Sequence, residues 1–164
     1  MLAACSSNKN TALTRRVQAF KARYNTYFNG NEAFKEGRLL QEEGNKDNFT
    51  ELIPLYVTGN KATLKLGTSN FSTAVEKCQK TIKTHSIVKK PKKDPKRMRD
   101  PEYKAFLEKE EYNSMVQQAW LLMGKAQFYQ SDFLAAVSTF SYIKRHFDDN
   151  KDVCVEASLW EART

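Results

Sequence analysis

The sequence predicts an all-α fold of antiparallel helical hairpins, the start of an α-solenoid, with a basic, proline-containing insertion. Three observations lead there. Only six glycines and four prolines interrupt the 164 residues, and between them apolar side chains recur at three and four positions, the helical period. No convincing pair of strands is found. The segment Asn70-Phe71-Ser72-Thr73-Ala74-Val75 is echoed 62 residues later by Asp132-Phe133-Leu134-Ala135-Ala136-Val137, and the next turn sets Cys78 opposite Phe140, so one helical unit occurs twice.

Residues 1–13 read as a recognition sequence and polar tether. Leu2-Ala3-Ala4-Cys5, followed by Ser6-Ser7-Asn8-Lys9-Asn10, has the form of a bacterial lipobox. Small residues before the cysteine let a narrow peptidase site grip extended backbone, and the Cys5 thiol is nucleophilic enough to take a diacylglyceryl group. The other reading is a chance cysteine near a truncated start, since the charged and apolar regions that precede a lipobox are not among these residues.

Residues 14–44 predict a helical hairpin. A first helix over about 14–28 places Val17, Phe20, Tyr24, Tyr27 and Phe28 on one side, Asn29-Gly30-Asn31 turns the chain, and a second helix over about 32–43 places Ala33, Phe34, Leu39 and Leu40 inward before Gly44-Asn45. Tyr24, Tyr27 and Phe28 crowd three aromatics into five positions, which fits either a partner-binding surface or packing on the second helix. Residues 45–86 predict a connection and a degenerate repeat, its first helix short and lying between Asn60 and Leu66.

Residues 87–101 form the insertion. Within it, residues 89–99 hold Lys89, Lys90, Lys92, Lys93, Lys96, Arg97 and Arg99 against the single Asp94, a balance of +6 out of the net charge of +8. Pro91, Pro95 and Pro101 make it a loop. Three readings are open for it: a contact for an acidic partner protein, attraction to anionic lipid or cell-wall polymer, and a solvated spacer.

Residues 102–164 hold the clearest unit and the first helix of a following one. Ala119-Trp120-Leu121-Leu122-Met123-Gly124-Lys125-Ala126-Gln127-Phe128, then Ser131-Asp132-Phe133, Ala136-Val137 and Phe140, resemble a tetratricopeptide repeat. Gly124 and Ala136 are small where two antiparallel helices cross, and Trp120, Met123, Phe128, Phe133 and Phe140 fill the volume around the crossing. Ser131 or Asp132 is placed to cap the second helix. A further helix with Val153, Ala157 and Trp160 follows, as though the array continues into a next repeat.

The Cys5 lipobox, the Arg23-Tyr24-Asn25-Thr26-Tyr27-Phe28-Asn29-Gly30 segment, the basic stretch from His85-Ser86-Ile87 to Pro101 and the Ala119–Lys125 repeat together resemble one family. It is the SprE/PorW-type tetratricopeptide lipoproteins of gliding motility and type IX secretion in Bacteroidota. The resemblance covers nearly all of the chain. It implies a lipoprotein of the outer membrane, tethered through Cys5 and facing the periplasm. Its partners would be proteins of the type IX translocon or its periplasmic ring. Members of the family are much longer. Only the acylated cysteine carries over as a functional residue.

Other function classes find little support. A nucleic-acid-binding helical protein is the alternative that the charge suggests, but the cations are gathered in a proline-broken loop without interleaved aromatics, so no nucleic acid is expected as partner. No enzyme is expected: Gly124-Lys125 lacks the first glycine and the Ser or Thr of a phosphate-binding loop. His85 and His146 are far apart with no metal-ligand spacing, so no metal or cofactor is expected, and both read as helix-end or surface residues. Glu108, Glu110 and Glu111, alternating with Lys104 and Lys109, read as a solvated helix face. Cys78 and Cys154 read as buried small hydrophobes, and a disulfide between them stays open. No apolar run reaches the roughly 20 residues that span a bilayer.

Overall fold

The computed structural model describes residues 9–47, 49–50, 52–53 and 63–164. The lipobox with Cys5 lies outside them, as do residues 54–62. Among the described residues there are seven α-helices and no strand: α1 Ala12–Lys21, α2 Tyr27–Gly44, α3 Thr68–His85, α4 Pro101–Glu108, α5 Ser114–Tyr129, α6 Phe133–His146 and α7 Lys151–Arg163. A π-helical turn, Ala22–Thr26, joins α1 to α2 with every residue still right-handed at the junctions, so 12–44 is one continuous rod.

The hairpin predicted over 14–44 is therefore not formed, and Asn29-Gly30-Asn31 lies inside a helix. Gly30 serves a crossing there. A Cβ on it would stand 3.1 Å from Lys77 Cβ and 3.4 Å from the Ala74 carbonyl oxygen of α3. Glycine costs about 1 kcal/mol in a helix interior, and the close approach of α3 offsets it. Gly37 repeats the arrangement one turn-pair on, under the Phe71 ring. The partner of α3 is thus α2, and the helix predicted between Asn60 and Leu66 is not its first arm, since residues 63–67 form turns. Gly67 enters α3 at φ +70°, and a Cβ there would meet the Gly37 carbonyl oxygen at 2.5 Å, so both conformation and space call for glycine.

The inward face of the rod is also not the aromatic one. Thr14, Gln18, Ala22, Thr26 and Gly30 face inward at four-residue steps, followed by Ala33, Phe34, Gly37 and Gln41. At 3.6 residues per turn a four-residue step drifts around the helix, and the wider π turn cancels that drift. Leu39 and Leu40, expected inward, are exposed.

From α2 on, the core helices run up and down. Gly30 and Gly37 of α2 meet residues 74–78 and 70–71 of α3, Gln130 and Asn113 at the two ends of α5 bond Ser72 and His85 of α3, and Gln127 of α5 bonds Thr139 of α6. Cys154 and Glu161 of α7 bond Phe147 and Ser141. Each neighbour is antiparallel, so α2, α5 and α7 point the same way, and α5 touches both of the others. This stack of hairpins is consistent with an α-solenoid. Two apolar clusters hold it. Phe34, Phe71, Ala74, Cys78, Ala119, Leu122 and Met123 bind α2, α3 and α5, while Leu121, Phe128, Ala136, Phe140, Ile143, Val153 and Ala157 bind α5, α6 and α7. Phe71 and Phe140 are fully buried, each worth roughly 1.5–3 kcal/mol by transfer.

Short polar residues start the later helices. Asp100, Asn113, Asp132 and Asn150 accept from backbone N–H groups at the N-termini of α4, α5, α6 and α7. Of the two expected caps for α6, Asp132 acts, accepting from Ala135 N at 3.2 Å.

Candidate functional site

The residues expected to build the repeat meet at the α5–α6 crossing, except for Met123 and Phe133. A Cβ on Gly124 would stand 2.5 Å from the Phe140 ring, and Ala136 is buried in the same cluster as Phe140 and Phe128. Met123 faces the other way, into the cluster with α2 and α3. Trp120 bridges the two clusters and stacks on Tyr142 at 4.3 Å between centroids. Phe133 is the second residue away from the crossing. It is 38% exposed at the start of α6 and touches the Phe128 ring only edge-on at 5.7 Å.

The parallel helices α2, α5 and α7 share a run of rings and cations. Tyr129 of α5 lies against Phe34 at 5.5 Å and Trp160 of α7 at 6.1 Å. Arg38 sits 5.7 Å from the Tyr129 centroid, and Lys125 and Arg163 sit 5.6 and 4.3 Å from that of Trp160. Lys125 also pairs with Glu156 of α7. Tyr27 of α2 packs against the first cluster, and its hydroxyl pKa is raised, first by burial and then by Cys78 and Glu156.

Of the three N-terminal aromatics, two are free of the core. Tyr24 and Phe28 are 62% and 51% exposed, and Phe20, at 64%, lies 4.7 Å from the Tyr24 ring. The sequence pointed Phe20 inward; the register set by Thr14, Gln18 and Ala22 turns it out.

The insertion is a closed, ordered structure that extends past residue 101. Tyr112 N donates to Ile87 O at 3.1 Å, closing a neck, and the carboxylate of Glu111 accepts from Ile87 N at 2.9 Å, from Asn113 N at 2.8 Å and from the Ser86 hydroxyl. Glu111 is only 4% exposed. Glu108 and Glu110 are exposed, as expected of the acidic run, but α4 ends at Glu108, so Glu110 and Glu111 lie past the helix and Glu111 is buried. Lys109 pairs with Asp149 at 2.7 Å and Glu110 with His146 at 2.5 Å, stitching the insertion to the α6–α7 end. Within the loop the Tyr103 hydroxyl accepts from Asp94 N at 2.9 Å. Arg15 of α1 lies over Phe106 at 5.0 Å, and Asn10 donates to Lys89 O at 2.7 Å.

Two of the seven basic residues are committed internally. Lys90 donates to the carbonyls of Glu108 and Lys109 at 3.0 and 2.8 Å, satisfying the end of α4. Arg97 lies 4.5 Å from the Tyr103 centroid and pairs with Asp100 at 3.2 Å; that hydrogen bond is the main cause of the lowered Asp100 pKa. Lys89, Lys92, Lys93, Lys96 and Arg99 are exposed, and among the described residues none has an ion-pair partner.

Both histidines end helices. His85 closes α3 with Nδ1 2.7 Å from Gln18 Oε1, and burial, then Lys21, holds its pKa below the usual value. His146 closes α6 and stacks on Tyr142 at 4.1 Å. Cys78 and Cys154 are not bonded to each other: Cys78 is fully buried, and Cys154 donates to Phe147 O at 3.1 Å. Among the described residues no three His, Cys, Asp or Glu side chains gather as metal ligands, and no helix is long and apolar enough to cross a membrane.

No protein-family model matches this chain, and no curated protein matches it.

Proposed function

We propose that this chain is part of a non-catalytic, lipid-anchored scaffold or adaptor subunit of a type IX secretion and gliding motility machine, of the SprE/PorW type. Its hairpins are of the tetratricopeptide kind and bind partner proteins through their surfaces. It is held by acyl chains on Cys5 at the periplasmic face of the outer membrane and contacts proteins of the translocon or its periplasmic ring. The observation that carries the repeat reading is the equivalence of two crossings. Gly30 of α2 approaches Cys78 of α3, its Cβ position 3.7 Å from the sulfur, as Gly124 of α5 approaches Phe140 of α6, with α7 following as the next first arm. Cys78 and Phe140 are the positions that the internal sequence repeat aligns.

The anchoring is tested by mass spectrometry of the N-terminus of the protein purified from cell envelopes. A diacylglyceryl mass on Cys5 supports it, and an unmodified cytoplasmic product overturns it. The adaptor role is tested by a photo-cross-linker at Lys92 in whole cells: attachment to secretion or motility proteins supports it, and its absence from their complexes overturns it.

A further inference from the structure

The insertion does more than display charge. Between residues 90–98 and α4 lies an open cleft of about 400 Å³. Pro91, Met98 and Leu107 supply its apolar lining, and Lys90, Lys93, Lys104 and Glu108 its charged lining. Lys90 already spends its ammonium on the α4 carbonyls beside Glu108, whereas Lys93 and Lys104 have no carboxylate partner among the described residues. Lys92, Lys96 and Arg99, neighbours in sequence of the lining residues, are exposed and have no ion-pair partner among the described residues.

From this geometry we infer a docking cleft for an acidic peptide segment that carries one bulky apolar side chain. The apolar side chain enters between Pro91, Met98 and Leu107, and flanking carboxylates meet Lys93 and Lys104, with the neighbouring cations extending the field. Charge complementarity selects an acidic partner, and the concave apolar lining selects a peptide over a flat anionic surface, which offers nothing to fill it. A solvated spacer would not be built this way. The Glu111 clamp, the Tyr112–Ile87 bond and the Tyr103 hydroxyl fix the cleft in advance, which removes much of the ordering cost of binding. This deepens the adaptor reading and rests on it for the partner being a protein.

The test uses the purified full chain and an array of short acidic peptides whose single central residue is leucine, phenylalanine, methionine or serine, with phosphatidylglycerol vesicles as the other arm. The leucine peptide is expected to bind about tenfold more tightly than the serine peptide. Met98→Ser removes that preference without weakening the serine peptide. Replacing Lys93 and Lys104 by glutamate weakens both peptides about tenfold or more, and Lys80→Glu, the same kind of charge change on α3, changes neither. Equal binding of leucine and serine peptides, or binding to the vesicles with none to the peptides, overturns the cleft. Because these readouts need no cell, failure here is distinct from failure of the adaptor reading, which the whole-cell cross-link reports.

Discussion

Glu111 and Ile87, 24 residues apart in sequence, are joined by a hydrogen bond of 2.9 Å from the Ile87 amide to the buried carboxylate. The same carboxylate takes the Asn113 amide at 2.8 Å, so one side chain holds both sides of the insertion neck. Glu111→Ala leaves two buried N–H groups without a partner. Each orphaned group costs about 1–3 kcal/mol, and the variant should lose about 3 kcal/mol overall. Urea unfolding measures the loss, and hydrogen exchange should show faster opening at Ile87 and Asn113 than in α6. Protection unchanged at both amides would mean that the clamp is not what closes the neck.

Gly124 and Gly30 are not equally tight. Gly124→Ala puts a methyl 2.5 Å from the Phe140 ring, which fills the interior of the second cluster and has little room to withdraw. Overpacking of this kind costs about 1–3 kcal/mol. Gly30→Ala meets Lys77 Cβ at 3.1 Å and gains about 1 kcal/mol of helix propensity, so its net effect should be the smaller. Thermal melts of the two variants rank them, and the reverse order would contradict the packing described.

Ser131 holds φ +61° in the turn between α5 and α6, and its buried hydroxyl oxygen has no hydrogen-bond partner among the described residues. A left-handed conformation costs a residue with a Cβ roughly 1–2 kcal/mol, which glycine avoids. Ser131→Gly should therefore stabilise the protein by about 1 kcal/mol, read as a raised urea midpoint with an unchanged slope.

The α5–α6 hairpin was legible because its inward positions are written in Leu, Phe, Ile and Ala at helical spacing. The N-terminal rod was not, for the converse reason. Its inward stripe is Thr14, Gln18, Ala22, Thr26 and Gly30, while Phe20, Tyr24 and Phe28 face solvent, so a rule that points aromatics inward chooses the wrong side. Gly30 read as a turn because a glycine between two asparagines usually breaks a helix; its use as a contact depends on α3, more than 40 residues on. The internal repeat, with Cys78 matched to Phe140, was the one sequence signal that a small residue should face Cys78 as well. Glu111 sits in a run of charges that locally reads as solvated, and its burial is decided by Ser86 and Ile87 across the neck. The insertion was legible as basic and proline-broken, but its cleft depends on Leu107 of α4 reaching Pro91 and Met98, and no local pattern announces that.

Cys78 should be chemically silent in the folded protein. Burial pushes its thiol pKa up to about 12, so almost no thiolate exists at pH 8, and no reagent reaches it. Labelling with an aromatic disulfide, followed by mass spectrometry of the Cys78 peptide, should proceed only as fast as the protein unfolds. Rapid labelling under native conditions would show that α2 and α3 separate locally.

His85 predicts an acid-side loss of stability. Burial first, then the charge of Lys21, lowers its pKa in the folded state, so folding favours the neutral imidazole whose Nδ1 meets Gln18 Oε1. In the unfolded chain the ring protonates around its ordinary value of about 6.5. This contribution to stability is therefore fully present above that pH and is lost as pH falls through it toward the lowered folded value, because the unfolded state then binds the extra proton. Denaturant midpoints measured from pH 8 to pH 5 should fall for the native sequence and fall less for His85→Gln, which cannot take up the proton. Parallel curves for the two would assign the acid sensitivity elsewhere.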